Sequence, residues 1–352
     1  MSTPPSGGPA LLGNESLRAE LARMWAEDRL HTCLIFEGPV GVGKASTARW
    51  LALLMNCQAD EPARPCGTCW SCRQIHKGQH PDIVEIGLDP ERTAPVISVE
   101  QARNVLGQLS VHPYAARRRL VIFDPADAMG QEAANALLKT LEEPPSSTGF
   151  IMVTSAASRL LPTVRSRSQR VRFGPVSIDV LAAWLEARGV AEAPALARMS
   201  DGCPGRALAL AEGEVAAWRE ARDQLLSALA APLSDLLTYT DGLTRGERGE
   251  AMPRVERALD ALTRLAVDAL RVRGAPSSSP PRPADLANGD RLPVVNAWAE
   301  ALDERALARL SEGVASTRRD LEGFVNARLL MEALLTSLNA ELGRARSAGA
   351  SP

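Results

Sequence analysis

The sequence predicts an α/β domain built on a five-stranded parallel sheet, a small helical domain after it, and an all-α C-terminal domain. Three observations carry that expectation. Five short runs rich in Val, Ile, Leu and Phe, at residues 34–36, 83–86, 120–123, 150–153 and 171–173, alternate with helical patterns, the order of a parallel sheet covered by helices. A glycine-rich turn joins the first run to a helix. From residue 215 onward the pattern is almost wholly helical.

Bulk composition agrees. The 352 residues exceed one ordinary core and fit two or three domains. With 45% hydrophobic, 23% charged and 4% aromatic residues, packing falls mainly to Leu and Ala. A net charge of -2 excludes a nucleic-acid coat that works by global basicity, so any DNA contact is a local patch. No apolar run approaches the roughly 18 residues of a membrane span, and no signal-peptide pattern opens the chain. A cytoplasmic protein is expected.

The first run leads into Gly38-Pro39-Val40-Gly41-Val42-Gly43-Lys44 and a helix through residue 54. In a GxxxxGK[ST] loop the glycines let backbone amides point at phosphate oxygens, the helix N-terminus adds its dipole, and the lysine pairs with the outer phosphates. Of 40 basic residues only Lys44, Lys77 and Lys139 are lysine, so a lysine here is informative. A glycine-rich strand-to-helix turn also occurs without nucleotide. Ala45 stands where Ser or Thr would offer magnesium a hydroxyl. Ser46 is one residue late, turned by about 100°.

Cys57, Cys66, Cys69 and Cys72 follow as CxxxxxxxxCxxCxxC, a spacing that suits four-thiolate Zn2+ in a reducing compartment. An iron–sulfur cluster is the alternative, but its usual fourth cysteine sits in a following Cys-Pro pair that is missing here. Four cysteines leave no open position, which makes the zinc structural. His76 and His80 lie close but are not needed, and Cys33 and Cys203 read as lone thiols.

Beyond the second run, Ser98 and Gln101 form a capping box for a helix reaching residue 109. Arg117-Arg118-Arg119 reads as solvated charge at the edge of the third run, which ends in Asp124. An active motor would place Glu next, to polarise the attacking water. Pro125 has neither carboxylate nor amide hydrogen. Asp127 lies two residues further on, displaced from the base position. A helix over 133–141 is stopped by Pro144-Pro145, and the fourth run continues into Ser155. Arg165, Arg167, Arg170 and Arg172 precede or enter the fifth run and, taken alone, read as a solvated face.

The first domain is expected over 1–175, with the metal insertion at 57–72. Short helices at 180–187 and 194–199, broken by Gly189 and Asp201-Gly202, define a helical domain over 176–213. The rest, 214–352, carries long helices at 254–273 and 321–342. Residues 274–290, with Ser277-Ser278-Ser279-Pro280-Pro281, read as a flexible surface loop between them. Phe324, Leu329, Leu330, Leu334, Leu335, Leu338 and Leu342 give the last helix one broad apolar face, either intramolecular core or a subunit-packing surface.

Asp124-Pro125-Ala126-Asp127-Ala128-Met129, followed by Asn135-Ala136-Leu137-Leu138-Lys139-Thr140-Leu141-Glu142-Glu143-Pro144-Pro145, resembles the stretch shared by bacterial sliding-clamp loader subunits of the AAA+ ATPases. The similarity covers about residues 10 to 210. Loss of the acidic pair with the downstream helix retained resembles the delta-prime type of DNA polymerase III subunit rather than the ATP-hydrolysing gamma/tau type. The resemblance implies that Arg167, in Ser-Arg-Ser where the family has Ser-Arg-Cys, is an arginine finger acting on a neighbouring subunit's ATP. Ser168 in place of the cysteine removes one part of that signature. It also implies that Ser155 senses nucleotide and that Arg206, in Gly202-Cys203-Pro204-Gly205-Arg206, is a second sensor in a lid. Gly38, Gly41, Gly43, Lys44, Asp124, Ser155 and Arg206 then mark a residual ATP or ADP site, or a structural remnant of one.

A non-motor subunit follows from that resemblance. It would sit in a hetero-oligomeric ring with gamma/tau-type ATPase subunits and a delta-type subunit, and would help place the sliding clamp on primer-template DNA. The C-terminal domain is the expected collar. An active motor subunit and a zinc-stabilised DNA-binding or docking module on an inert scaffold are the alternatives. Ala45 and Pro125 argue against the first, and Arg167 with the phosphate loop against the second.

Overall fold

The computed structural model describes residues 11–349 apart from 62, 93, 94, 110, 146, 277, 279, 323 and 324. The chain divides into two compact units, Met1–Ser177 with Gly202–Arg206, and Ile178–Asp201 with Ala207–Pro352.

In the first unit, helix α1 (Glu15–Ala26) precedes β1 (Cys33–Glu37), α2 (Lys44–Asn56), α3 (Trp70–His76), β2 (Ile83–Ile86), α4 (Val99–Gln108), β3 (Arg119–Phe123), α5 (Gln131–Glu142), β4 (Thr148–Thr154), α6 (Pro162–Ser166) and β5 (Gln169–Arg172). The five strands form one sheet in the order β2-β3-β4-β1-β5, and every pairing is parallel. The α/β fold expected from the sequence is the one observed. Side chains alternate across a strand, so β1 sends Leu34 and Phe36 to a core with Leu51, Leu53 and Met55 of α2. Cys33 and Ile35 go to the opposite core, with Val105 of α4 and Leu137 of α5. Both faces are therefore dry, which explains why the runs read as continuous apolar stretches.

Local signals hold where they were strongest. The Ser98 hydroxyl accepts the Gln101 N–H at 3.3 Å while the Gln101 side chain accepts the Ser98 N–H at 2.9 Å, the reciprocal box. The fifth strand starts two residues earlier than the apolar run. As an edge strand it needs only one buried face, so Arg170 and Arg172 alternate outward.

The arginine run 117–119 needs correction. Arg117 is exposed, but Arg118 and Arg119 are 9% and 5% exposed. Arg119 opens β3 and pairs with buried Asp82 at 3.2 Å, and the Arg118 guanidinium lies 6.0 Å from the Trp25 ring centroid. Asp82 accepts the backbone N–H groups of Tyr114, Ala115 and Ala116 at 2.9, 2.7 and 2.9 Å. The loop before β3 is thus wrapped around a buried ion pair.

The second unit holds α7 (Ile178–Glu186) and α8 (Ala193–Met199). After α9 (Pro204–Ala209), which begins in the first unit, it continues through α10 (Val215–Ala230), α11 (Leu233–Thr244), α12 (Arg248–Gly274), α13 (Leu292–Ala301), α14 (Glu304–Glu322) and α15 (Ala327–Gly349). Two expectations fail here. The stretch 321–342 is not one helix, because Asn326 Oδ1 accepts the Arg328 N–H at 2.9 Å and so starts a new one. Phe324 lies outside the described residues. Met331, Leu335, Leu338 and Leu342 are buried, whereas Leu329 is 62% exposed.

The stretch 274–290 is not a flexible surface loop in its second half either. Leu286 and Asn288 are fully buried. Asp268 of α12 accepts the Asn288 N–H at 2.8 Å and the Ala287 N–H at 3.3 Å. Asp290 takes both terminal nitrogens of buried Arg222 at 2.8 Å each. Ser277 and Ser279 lie outside the described residues.

Candidate functional site

In an open parallel sheet the crevice lies at the carboxyl ends of the strands where the order reverses. Here β1 is flanked by β4 and β5 while the chain proceeds from β1 to β2 at the far edge. The phosphate loop leaves β1 at that point, Asp124 follows β3, and Thr154 ends β4.

Gly41 has φ 79°, and a Cβ there would lie 2.6 Å from the Arg206 backbone nitrogen. The Gly205 N–H donates to the Gly41 carbonyl at 2.8 Å. The turn that carries Arg206 therefore rests on the phosphate loop, and only glycine permits both the φ and the approach. Gly202 has φ 73°, and its own Cβ would meet the Val176 carbonyl oxygen at 2.1 Å.

Lys44 is 7% exposed. Its Nζ donates to the carbonyls of Gly38 at 2.6 Å and Pro39 at 2.7 Å. Burial pushes its ammonium below the ordinary lysine value, with the charges of Asp124, Cys203 and Asp127 acting the other way. Burial also pushes the Asp124 carboxyl up, against Lys44 and Arg49. Lysine and carboxylate thus share one electrostatic neighbourhood. Ser46 faces elsewhere, lining a cavity of about 490 Å³ with Arg49, Ile75, His80 and Glu85.

Asp127 is already engaged. One oxygen accepts the Thr154 hydroxyl at 2.7 Å and the other pairs with Arg159 at 3.5 Å. With both oxygens engaged, Asp127 is not set to receive a water in place of the missing glutamate. Ser155 is exposed, whereas Thr154 is 1% exposed and also accepts the Ala156 N–H at 3.0 Å. Thr154 was not singled out from the sequence. Its only signal is a hydroxyl at the last position of an apolar strand.

The arginines divide by surroundings. Arg167 ends the short helix α6, and its Nη1 donates to the Thr163 carbonyl at 3.0 Å and the Ser166 hydroxyl at 3.3 Å. Its Nη2 donates to Glu142 at the end of α5. Arg170 pairs with Glu37 at 3.6 Å, and Arg172 is exposed. Partly buried Arg165 has an Nε with no hydrogen-bond partner among the described residues. Ser168 donates to the Val164 carbonyl at 2.7 Å and lies 3.0 Å from Cys33 Sγ. Burial pushes the Cys33 thiol up to about 11, opposed by Ser168, so it is a neutral core thiol.

The four cysteines converge. The Sγ atoms of Cys57, Cys66, Cys69 and Cys72 all lie within 4.8 Å of one another. Tetrahedral zinc with bonds of about 2.3 Å needs sulfurs roughly 3.8 Å apart, so the set fits with a small contraction. Backbone N–H groups already point at the sulfurs: Cys66 to Cys57 at 3.4 Å, Cys69 to Cys66 at 3.3 Å and Cys72 to Cys69 at 3.4 Å. Helix α3 starts at the cluster with Cys69 as its N-cap. Hydrogen bonds from Thr68 and then Cys69 hold the Cys66 thiol down to about 6, whereas burial first and then Cys69 pushes Cys72 up. Ligand identity and second-sphere donors together are those of a four-thiolate metal centre. His80 accepts the Asp82 N–H at Nδ1 at 3.2 Å and packs on Trp70 with centroids 5.4 Å apart.

Residues 13–177 match the family model described as DNA polymerase III, delta subunit. The DNA polymerase III subunit tau of Salmonella typhimurium is 31% identical over 234 residues, 64% of this chain and 36% of that protein. The DNA polymerase III subunit delta' of Escherichia coli is 34% identical over 214 residues, 60% of this chain and 63% of its own length. The chain therefore spans about one third of the first relative and less than two thirds of the second. Among solved structures, a DNA polymerase III gamma subunit-related protein of Thermotoga maritima aligns over 93% of this chain and 99% of its own, at 18% identity and a TM-score of 0.43. Among the described residues no helix is long and apolar enough to cross a membrane. The sequence matches fall in the region that carries the phosphate loop, the sheet and the four cysteines, and there the chain is similar to DNA polymerase III subunits of the delta' and tau types.

Proposed function

We propose that this chain is a non-motor subunit of a DNA polymerase III clamp loader, one that lends Arg167 to the ATP held by a neighbouring subunit. One contrast carries the reading. The chain's own site has Ala45 in place of a metal-binding hydroxyl and Pro125 in place of the catalytic glutamate, while Arg167 stands one-third exposed on a short helix at the unit's surface. An arginine finger needs no chemistry of its own subunit. It needs a guanidinium held where charge develops on a phosphoryl group.

In this reading Gly38, Gly41, Gly43, Lys44, Asp124, Ser155 and Arg206 form a residual ATP or ADP site that is not a hydrolytic one. The four cysteines hold structural zinc, which would fix α3 against the end of α2. Residues 176–213 act as lid and 214–352 as the collar through which the subunit joins gamma/tau-type and delta-type partners. The ring then opens and loads the sliding clamp on primer-template DNA. The test is reconstitution with tau/gamma-type ATPase subunits and measurement of DNA-stimulated ATP turnover with wild type and Arg167→Ala. Loss of the turnover belonging to the site that faces this chain is expected, and unchanged turnover would sink the finger assignment.

A further inference from the structure

We infer that Glu142 is a positioning residue for Arg167, holding the guanidinium in the orientation from which it engages a phosphoryl group. This inference rests on the finger reading of Arg167. A guanidinium has five N–H donors. Thr163 and Ser166 occupy Nη1, and Glu142 occupies one hydrogen of Nη2. Among the described residues Nε–H and the second Nη2 hydrogen meet no acceptor, and two donors suffice for bidentate contact with phosphate oxygens.

The anchors differ in kind. Thr163 and Ser166 belong to the five-residue helix α6, next to Arg167 itself. A clamp supplied only by that helix would leave the side chain free to swing with it. Glu142 comes from elsewhere, the last residue of the twelve-residue helix α5, whose Leu137 and Leu141 are buried and which Pro144-Pro145 follows. It ties the arginine to the core of the unit. Because a static misplacement of about 1 Å at a reacting centre can lower a rate a hundredfold, an anchor on a rigid element matters to the rate.

The pair adds little to folding. The side chains are 34% and 49% exposed, and exposed ion pairs contribute little stability. A Glu142→Gln variant should therefore fold and assemble normally, with its effect confined to the neighbour's chemistry.

The experiment is a double-mutant cycle in the reconstituted complex with tau/gamma-type ATPase subunits. Wild type, Glu142→Gln, Arg167→Ala and the double variant are compared by single-turnover ATP hydrolysis, nucleotide KM and complex size on a sizing column. Glu142→Gln is expected to slow hydrolysis about tenfold at unchanged KM and complex size, and to cause no further loss once Arg167 is alanine. Wild-type or faster hydrolysis by Glu142→Gln overturns the inference, as does the same loss in the Arg167→Ala background or a failure to assemble. If Arg167→Ala itself leaves turnover unchanged, the finger reading fails first, an outcome separable from the others.

Discussion

Replacing Asp82 by alanine should cost the first unit about 3 kcal/mol. The carboxylate is 1% exposed and accepts four hydrogen bonds, three from the backbone of 114–116 and one from Arg119 at 3.2 Å. Removing one partner of a buried ion pair commonly costs about 3–5 kcal/mol, because the other charge is left behind. The low end applies because Arg119 keeps the carbonyls of Gln108 at 2.7 Å, Val111 at 3.0 Å and His112 at 3.3 Å. The freed N–H groups also lie on a loop whose Tyr114 is 86% exposed, so water can replace the carboxylate. Burial pushes the Asp82 carboxyl up, but the N–H groups of Ala115, Tyr114 and Ala116 and the Arg119 guanidinium outweigh it and hold the group below its usual value. A depressed carboxyl stabilises fully above its unfolded pKa, near 4, and loses that contribution as pH falls through the folded value. Wild type and variant should thus differ by a constant amount from about pH 5 upward and converge in acid. Amide hydrogen exchange of peptides from 114–123 reads the unit's own opening free energy. A loss below about 1 kcal/mol at neutral pH would refute the view that this pair braces the loop.

Three further outcomes follow from the same geometry. Purified chain should carry one equivalent of zinc, and Cys72→Ser should remove most of it and lower the melting temperature of the first unit on the order of 5 °C; iron, or no metal in the wild type, would contradict the reading. Asp268→Ala strips the acceptor from the buried N–H groups of Ala287 and Asn288 and should destabilise the second unit by about 3 kcal/mol in urea unfolding, whereas a neutral substitution would mean water satisfies them. The chain alone should show no ATP hydrolysis above background, and a turnover abolished by Lys44→Ala would replace the non-motor reading with a motor one.

The sheet was legible because β1, β3 and β4 are dry on both faces and their runs are therefore continuously apolar. The phosphate loop and the cysteine spacing were legible because glycine, lysine and paired Cys-x-x-Cys turns are chemically specific at short range. The misreadings of buried polar groups share one cause. Arg119, Asn288 and Asp268 each have a side-chain partner 20 to 66 positions away, and Arg118 lies over Trp25 of α1; local sequence carries no sign of such a partner. Charge beside a strand looks solvated until Asp82 is found opposite it. Likewise 274–290 reads as a flexible surface loop until Asp268 and Arg222 are seen to bind its second half. Glu142 is the same case at the candidate site, for it lies 25 positions from Arg167.

Lys44 poses the sharpest remaining question, because two explanations for a rare lysine now compete. One is phosphate affinity. The other is local structure, since Nζ caps the carbonyls of Gly38 and Pro39 and the loop supports the Arg206 turn through Gly41. The explanations separate on ligand binding. Phosphates attract the lysine by charge, and the loop's amides remain to receive them, so a residual site should bind ADP without needing Ala45 or Pro125 to be otherwise. Calorimetry with ADP and the purified chain should show binding that Lys44→Ala weakens at least about tenfold, the scale of one lost charge-assisted contact of roughly 1.4 kcal/mol or more. Absent ADP binding in the wild type, coupled with a lower melting temperature for Lys44→Ala, would make the lysine a strut of the loop and remove the proposed residual nucleotide site.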